Sequence, residues 1–104
     1  MVECVYMKLL LPKTKIPDSE RFIRRCGYGK IFDRRSGQIS YARRLRHDLY
    51  PRFHVYVDDR GDNWQFNLHL DQRATVYKGA TAHAGDYDGP VVEGEGERIK
   101  SFAN

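Results

Sequence analysis

Hydrophobic and polar residues alternate most regularly in two runs on either side of the sequence DDRGDN, in the second half of the chain. Side chains of a β-strand point alternately to the two faces of a sheet, so each run predicts a strand with one buried face. The segment between the runs is rich in turn-forming residues, which predicts a β-hairpin. We place Val57 opposite Trp64 across this turn. The face predicted to pack on the core then carries Val55, Val57, Trp64, Phe66, Leu68 and Leu70.

A short helix is predicted in the segment SERFIRRCG. Asp18 or Ser19 would cap its first turn, since both side chains can accept a hydrogen bond from a free backbone N–H. Phe22 and Ile23 fall at helical spacing and would face the core. Gly27 would end the helix, because glycine accepts the left-handed conformation that often follows a last helical turn.

Three other segments complete the predicted elements. The apolar run over residues 2–11 predicts a first strand. Ile31 and Ile39 flank a turn that contains Gly37, which predicts a second hairpin. The tail GPVVEGEGERIKSF predicts a C-terminal helix with Pro90 near its start, although its two internal glycines each disfavour a helix by about 1 kcal/mol. The sequence therefore predicts an α+β domain: an antiparallel sheet of about four or five strands with one helix in the N-terminal half and one at the C-terminus.

Length and composition restrict the class of protein further. A chain of 104 residues with 40% hydrophobic and 31% charged residues suits a single domain, 1–104, with one core. Cys4 and Cys26 have neither metal-site spacing nor a disulfide framework. The apolar N-terminal run is interrupted by Glu3 and is too short to span a bilayer. We therefore expect no membrane partner and a cytoplasmic location.

Positive charge is concentrated in the first half of the chain. The formal net charge is +4, and the segment from Arg21 to Arg52 contains ten basic residues and only two acidic ones. Twelve of the eighteen basic residues are Arg, whose guanidinium group matches the geometry of phosphate oxygens. The block favours RNA or DNA as a partner, although it would equally suit a solvated face. The predicted nucleic-acid contacts are Arg34, Arg35, Arg43, Arg44, Arg46, Arg52 and Tyr56, and the tyrosines considered for stacking on bases are Tyr28, Tyr41, Tyr50 and Tyr56.

The second face of the central hairpin is polar but poor in the long charged side chains that only confer solubility. It carries amides, imidazoles, an aromatic ring and a guanidinium group, which predict a surface that hydrogen-bonds to a ligand. The alternative is the ordinary solvent-exposed face of an antiparallel sheet. Its residues are Arg52, His54, Tyr56, Gln65, Asn67, His69 and Asp71.

A long polar segment follows this face directly. Between Asp71 and Pro90 the chain has little periodicity, and ordered loops of this length are often functional. We expect this segment to close over the polar face and complete a pocket with His83 and Asp86. A divalent metal held by His69, His83 and Asp71 is one hypothesis. Acid–base catalysis of phosphoester hydrolysis is another, and its candidate residues are His54, His69, His83, Asp71 and Asp86.

Three functions remain open from the sequence. The first is binding of nucleic acid, RNA above all, through the Arg-rich surface. The second is a metal-dependent or histidine-dependent phosphoesterase or nuclease, although no metalloprotease helix, Cys/His cluster or phosphate-binding loop is present in the sequence. The third is an interaction module that forms a homo-oligomer by pairing its acidic C-terminal helix with its basic block.

Overall fold

The structure is a computed structural model that describes residues 4–45, 51–71 and 89–103. Within these residues, five strands form one antiparallel sheet in the order β1-β5-β4-β3-β2, and two helices accompany it. This architecture confirms the predicted α+β class. The elements in chain order are β1 (Cys4–Pro12), α1 (Ser19–Arg25), β2 (Gly29–Phe32), β3 (Ile39–Arg44), β4 (Arg52–Arg60), β5 (Asn63–Asp71) and α2 (Gly89–Ser101).

The hairpin of β4 and β5 has the predicted faces but a different register. Val57 lies opposite Phe66 rather than Trp64, so the predicted pairing was wrong by two residues. The cause is the length of the turn. Both strands continue into DDRGDN, and only Gly61 and Asp62 connect them. Gly61 adopts φ +73°, a conformation that glycine accepts at little cost and that a two-residue hairpin needs.

A shift of two residues keeps each side chain on its predicted face, because the period of a strand is two. It changes the neighbours across the hairpin. His54 lies directly opposite His69, where Asn67 was predicted. Arg52 lies opposite Asp71, where His69 was predicted. The correction therefore brings two imidazoles together and places a carboxylate beside the guanidinium group.

Helix α1 is capped as the sequence predicts. The Asp18 carboxylate accepts a hydrogen bond of 3.1 Å from the backbone N–H of Arg21. The helix ends at Arg25, and Gly27 then turns the chain with φ +101°. Phe22 packs on Phe66 of β5 with 5.6 Å between the ring centroids, so α1 lies on the apolar side of the sheet.

Helix α2 packs on the same side. Val92 and Ile99 are buried in the core with Leu9 of β1 and Leu68 of β5. The predicted core face of the hairpin is confirmed. Four of its six residues are buried, while Val57 and Trp64 are partly buried and pack against its rim. Neither described helix is long and apolar enough to cross a membrane.

Candidate functional site

The face of the sheet turned away from both helices is called the open face below. The strand register places Tyr6, His69 and His54 in one row across β1, β5 and β4, because each lies directly opposite the next. Ala42 of β3 continues the row beyond His54. Three ring-bearing side chains from distant parts of the chain therefore lie side by side.

Four aromatic rings of the open face form a connected cluster. The rings of Tyr6 and His69 stack with 5.4 Å between centroids and 22° between planes. Tyr56 meets His69 edge to face at 5.5 Å, and His54 meets Tyr56 at 4.8 Å. We call Tyr6, His54, Tyr56 and His69 the ring cluster. Tyr6 keeps 56% of its surface exposed, so the cluster ends in an accessible aromatic ring.

Both histidines of the ring cluster favour the neutral form. Partial burial lowers the pKa of His54 below its ordinary value, the positive charge of Arg52 lowers it further, and Asp71 acts in the opposite direction. Burial also lowers the pKa of His69, against the attraction of Asp71. The His54 Nε2 atom lies 2.8 Å from the hydroxyl oxygen of Ser40, which fixes the orientation of the ring. At neutral pH the cluster therefore presents uncharged rings.

Guanidinium groups flank the ring cluster on one side. Arg44 of β3 lies directly opposite Arg52 of β4 on the open face. Two guanidinium groups in directly opposed positions make this part of the face electropositive, which attracts an anion. The positive charge of Arg52 is partly compensated by Asp71, since the Arg52 Nε atom lies 3.9 Å from the Asp71 Oδ2 atom.

The other predicted arginines are distributed differently. Arg34 and Arg35 lie in the exposed turn between β2 and β3. Arg43 points to the helix side, where its Nη1 atom donates a 3.4 Å hydrogen bond to Glu95 of α2. Arg46 lies outside the described residues. The basic block of the sequence is thus divided between the two sides of the sheet.

Two of the predicted stacking tyrosines belong to the core. Only 3% of Tyr28 and 6% of Tyr41 is exposed to solvent, so their rings cannot stack on a base. Tyr56 lies on the open face as predicted, and Tyr50 lies outside the described residues. The sequence interpretation missed Tyr6 and Ser40. Alternation in β1 places Tyr6 and Lys8 on one face, but the pairing of β1 with β5 has no local signal in the sequence.

The predicted metal and catalytic residues are only partly within the described chain. His54, His69 and Asp71 lie together on the open face. His83, Asp86 and the proposed closing segment lie outside the described residues. Among the residues that are described, no group of three or more His, Cys, Asp and Glu side chains could hold a metal ion. The metal hypothesis depends on His83 and stays a prediction.

The end of the open face nearest the β4–β5 turn is occupied by contacts between its own side chains. Arg60 donates a hydrogen bond of 3.2 Å to Gln65, and Gln65 donates one of 2.7 Å to Asn67. Asn67 in turn donates one of 3.1 Å to Asp58. These groups hold one another at that end of the face.

Comparison of the chain with protein-family models, with curated proteins and with solved structures finds no match.

Proposed function

We propose that the protein binds single-stranded nucleic acid, RNA in particular, on the open face of its sheet. The observation that carries the proposal is the ring cluster, bordered by the directly opposed Arg44 and Arg52. Aromatic side chains on a sheet surface are a common platform for unpaired bases, and adjacent cations hold the phosphates between those bases. The cytoplasmic location predicted from the sequence would give the protein access to RNA.

The ring cluster suits bases better than a polar ligand. Tyr6 stacks on His69 with one side of its ring and is more than half exposed, which leaves surface for a base. Both imidazoles favour the neutral form, so their contribution to binding at neutral pH is stacking rather than charge. Stacking depends little on base identity, because every base has a flat π-face.

Binding of a labelled oligouridine RNA of roughly 12 nucleotides, followed by fluorescence anisotropy, tests the proposal. Tyr6→Ala and Tyr56→Ala should each weaken binding by about tenfold, since one base–aromatic contact contributes roughly 1–3 kcal/mol. The matched control is Leu10→Ala, which removes an exposed apolar side chain from the same face of β1 and should leave affinity unchanged.

Two variants that each remove one arginine test the contribution of charge to RNA binding. Arg44→Gln should weaken binding and reduce its dependence on salt. A protein that makes one phosphate contact fewer releases fewer counterions when it binds. Arg21→Gln is the control, since it removes an exposed arginine of α1 on the other side of the sheet. Equal losses for the two variants, or no binding at low salt, would contradict the proposal.

The same experiments separate the two alternative functions from RNA binding. Cleavage of the RNA in the presence of zinc or manganese, lost in His83→Ala, would favour the phosphoesterase. A solution mass above that of one chain that falls as salt is added, with no RNA affinity, would favour the interaction module, in which the acidic residues of α2 pair with the basic block of a second copy.

A further inference from the structure

A cavity of about 350 Å³ adjoins the ring cluster on the side of β3. Its volume lies near the lower end of the roughly 300–1,000 Å³ that is typical of small-molecule sites, so it suits one small group rather than a polymer. His54 and Tyr56 form the wall shared with the ring cluster, and the polar groups around the cavity come from Asp33, Arg34, Gln38 and Ser40. An RNA strand bound on the ring cluster would therefore pass the mouth of this cavity.

The turn between β2 and β3 holds the polar wall of the cavity in place. The Asp33 carboxylate accepts hydrogen bonds from the backbone N–H of Arg35 at 3.0 Å and from the Ser36 hydroxyl at 3.1 Å. The carbonyl of Asp33 accepts a third, of 2.7 Å, from the N–H of Gly37, which adopts φ +76°. These contacts order the turn without a ligand, so binding in the cavity would require little reorganisation.

The polar groups of the cavity retain hydrogen-bonding capacity. Each oxygen of the Asp33 carboxylate accepts one hydrogen bond from the turn and has a second lone pair. The side-chain amide of Gln38 makes no hydrogen bond to any part of the chain that the structure describes. The Ser40 hydroxyl is engaged by His54 at 2.8 Å but can still make one more bond. A carboxylate, an amide and a guanidinium group thus border a cavity walled by two rings.

We propose that this cavity holds one unpaired base of the bound strand, and that guanine is the base it takes best. The inference rests on the proposed function. Guanine carries two neighbouring N–H donors, which a carboxylate such as Asp33 accepts, and it carries the O6 and N7 acceptors that arginine commonly contacts. Arg34 follows Asp33 directly in the exposed turn and supplies that donor. His54 or Tyr56 provides the flat surface beneath the base.

Affinity for two RNAs tests the inference: an oligouridine, and the same oligouridine with one central guanosine. We expect the guanosine-containing RNA to bind about tenfold more tightly, which matches the discrimination of one good bidentate contact. Asp33→Asn should remove this preference. Asparagine supports the same turn but replaces one acceptor oxygen by a donor. Asp62→Asn is the matched control, because Asp62 is an exposed aspartate of the β4–β5 turn and does not line the cavity.

Gln38→Ala keeps the inference testable if Asp33→Asn impairs folding, since the Gln38 side chain is exposed and hydrogen-bonds to no group among the described residues. This variant should also reduce the preference for guanosine. Tight binding of both RNAs with equal affinity would overturn the inference and leave the proposed function intact.

Failure of both RNAs to bind would contradict the proposed function. Titration with GMP would then test separately whether the cavity binds guanine. Shifts of the Gln38 and Ser40 backbone amide resonances with GMP, and smaller shifts with AMP, CMP and UMP, would support a guanine site. Resonances that stay unchanged with all four nucleotides would overturn it.

Discussion

The hydroxyl of Tyr28 donates a 2.5 Å hydrogen bond to the carboxylate of Glu95, across a separation of 67 residues in sequence. Glu95 is 5% exposed and also accepts hydrogen bonds from two arginines, at 2.9 and 3.0 Å from Arg98 and at 3.4 Å from Arg43. Arg98 donates another to the carbonyl of Cys26. A buried carboxylate is tolerable only with such partners. This network joins α2 to β3 and to the end of α1.

Glu95→Ala should lower the free energy of unfolding by roughly 2–3 kcal/mol. The substitution leaves the buried Tyr28 hydroxyl and two guanidinium groups without their acceptor, although both arginines are about one-third exposed and water compensates part of the loss. Urea denaturation measures the change. Glu97→Ala, two residues along the same helix, removes a carboxylate that is 70% exposed, and should change stability by less than about 0.5 kcal/mol. Equal effects of the two substitutions would contradict the role assigned to the network.

The stability of the protein should fall as the pH drops below about 6.5, the ordinary pKa of the two histidines. His54 and His69 have lowered pKa values in the folded state, so the unfolded chain binds protons first. Protons therefore favour unfolding between pH 6.5 and the lower folded pKa values, and stability is fully present above that window. Urea midpoints at pH 7.5 and pH 5 measure the loss.

The double variant His54→Gln, His69→Gln is the control for this pH dependence. It removes both imidazoles and keeps groups that can hydrogen-bond, so its urea midpoint should change less between the two pH values. A midpoint that changes as much as in the unaltered protein would assign the pH dependence to other groups.

The sequence predicted which side chains share a face, because strand alternation is a local property. Phe66, Leu68 and Leu70 are buried as the pattern indicates. Alternation could also have separated Arg43 from Arg44, which point to opposite sides of the sheet although they were treated as one basic block. Register was not predictable in the same way, since it depends on where the turn closes.

The assembly of the ring cluster was beyond local sequence reasoning for a different reason. Tyr6 meets His69 only because β1 pairs with β5 at the edge of the sheet, a contact between segments about 60 residues apart. The cavity beside Ser40 likewise depends on how the β2–β3 turn lies against β4. Neither relationship leaves a pattern in the residues themselves.

Cys26 should resist alkylation in the native protein. Burial raises the pKa of its thiol to about 11, and only the thiolate reacts readily. In a Cys4→Ser variant, where Cys26 is the remaining thiol, iodoacetamide at pH 8 should label the native protein far more slowly than the urea-unfolded protein. Mass spectrometry of the labelled fraction over time measures both rates. Comparable rates in the two states would mean that Cys26 is accessible in the folded chain.

The two glycines inside α2 should respond differently to substitution by alanine. Alanine favours a helix over glycine by about 1 kcal/mol. A Cβ atom at Gly94 would meet nothing within 4 Å, so Gly94→Ala should raise the free energy of unfolding by about this amount. A Cβ atom at Gly96 would lie 2.6 Å from the Met7 sulfur of β1, because the helix approaches the sheet closely there.

Gly96→Ala should therefore be less stable than Gly94→Ala, since the Met7 side chain must move and part of its packing against the core is lost. Thermal and urea denaturation of the two variants measure the difference. Combining Gly96→Ala with Met7→Ala should remove the steric conflict, so within the Met7→Ala background the alanine at position 96 should recover the ordinary helix gain. A Gly96→Ala protein as stable as Gly94→Ala, with Met7 intact, would show that α2 does not need a glycine at its contact with β1.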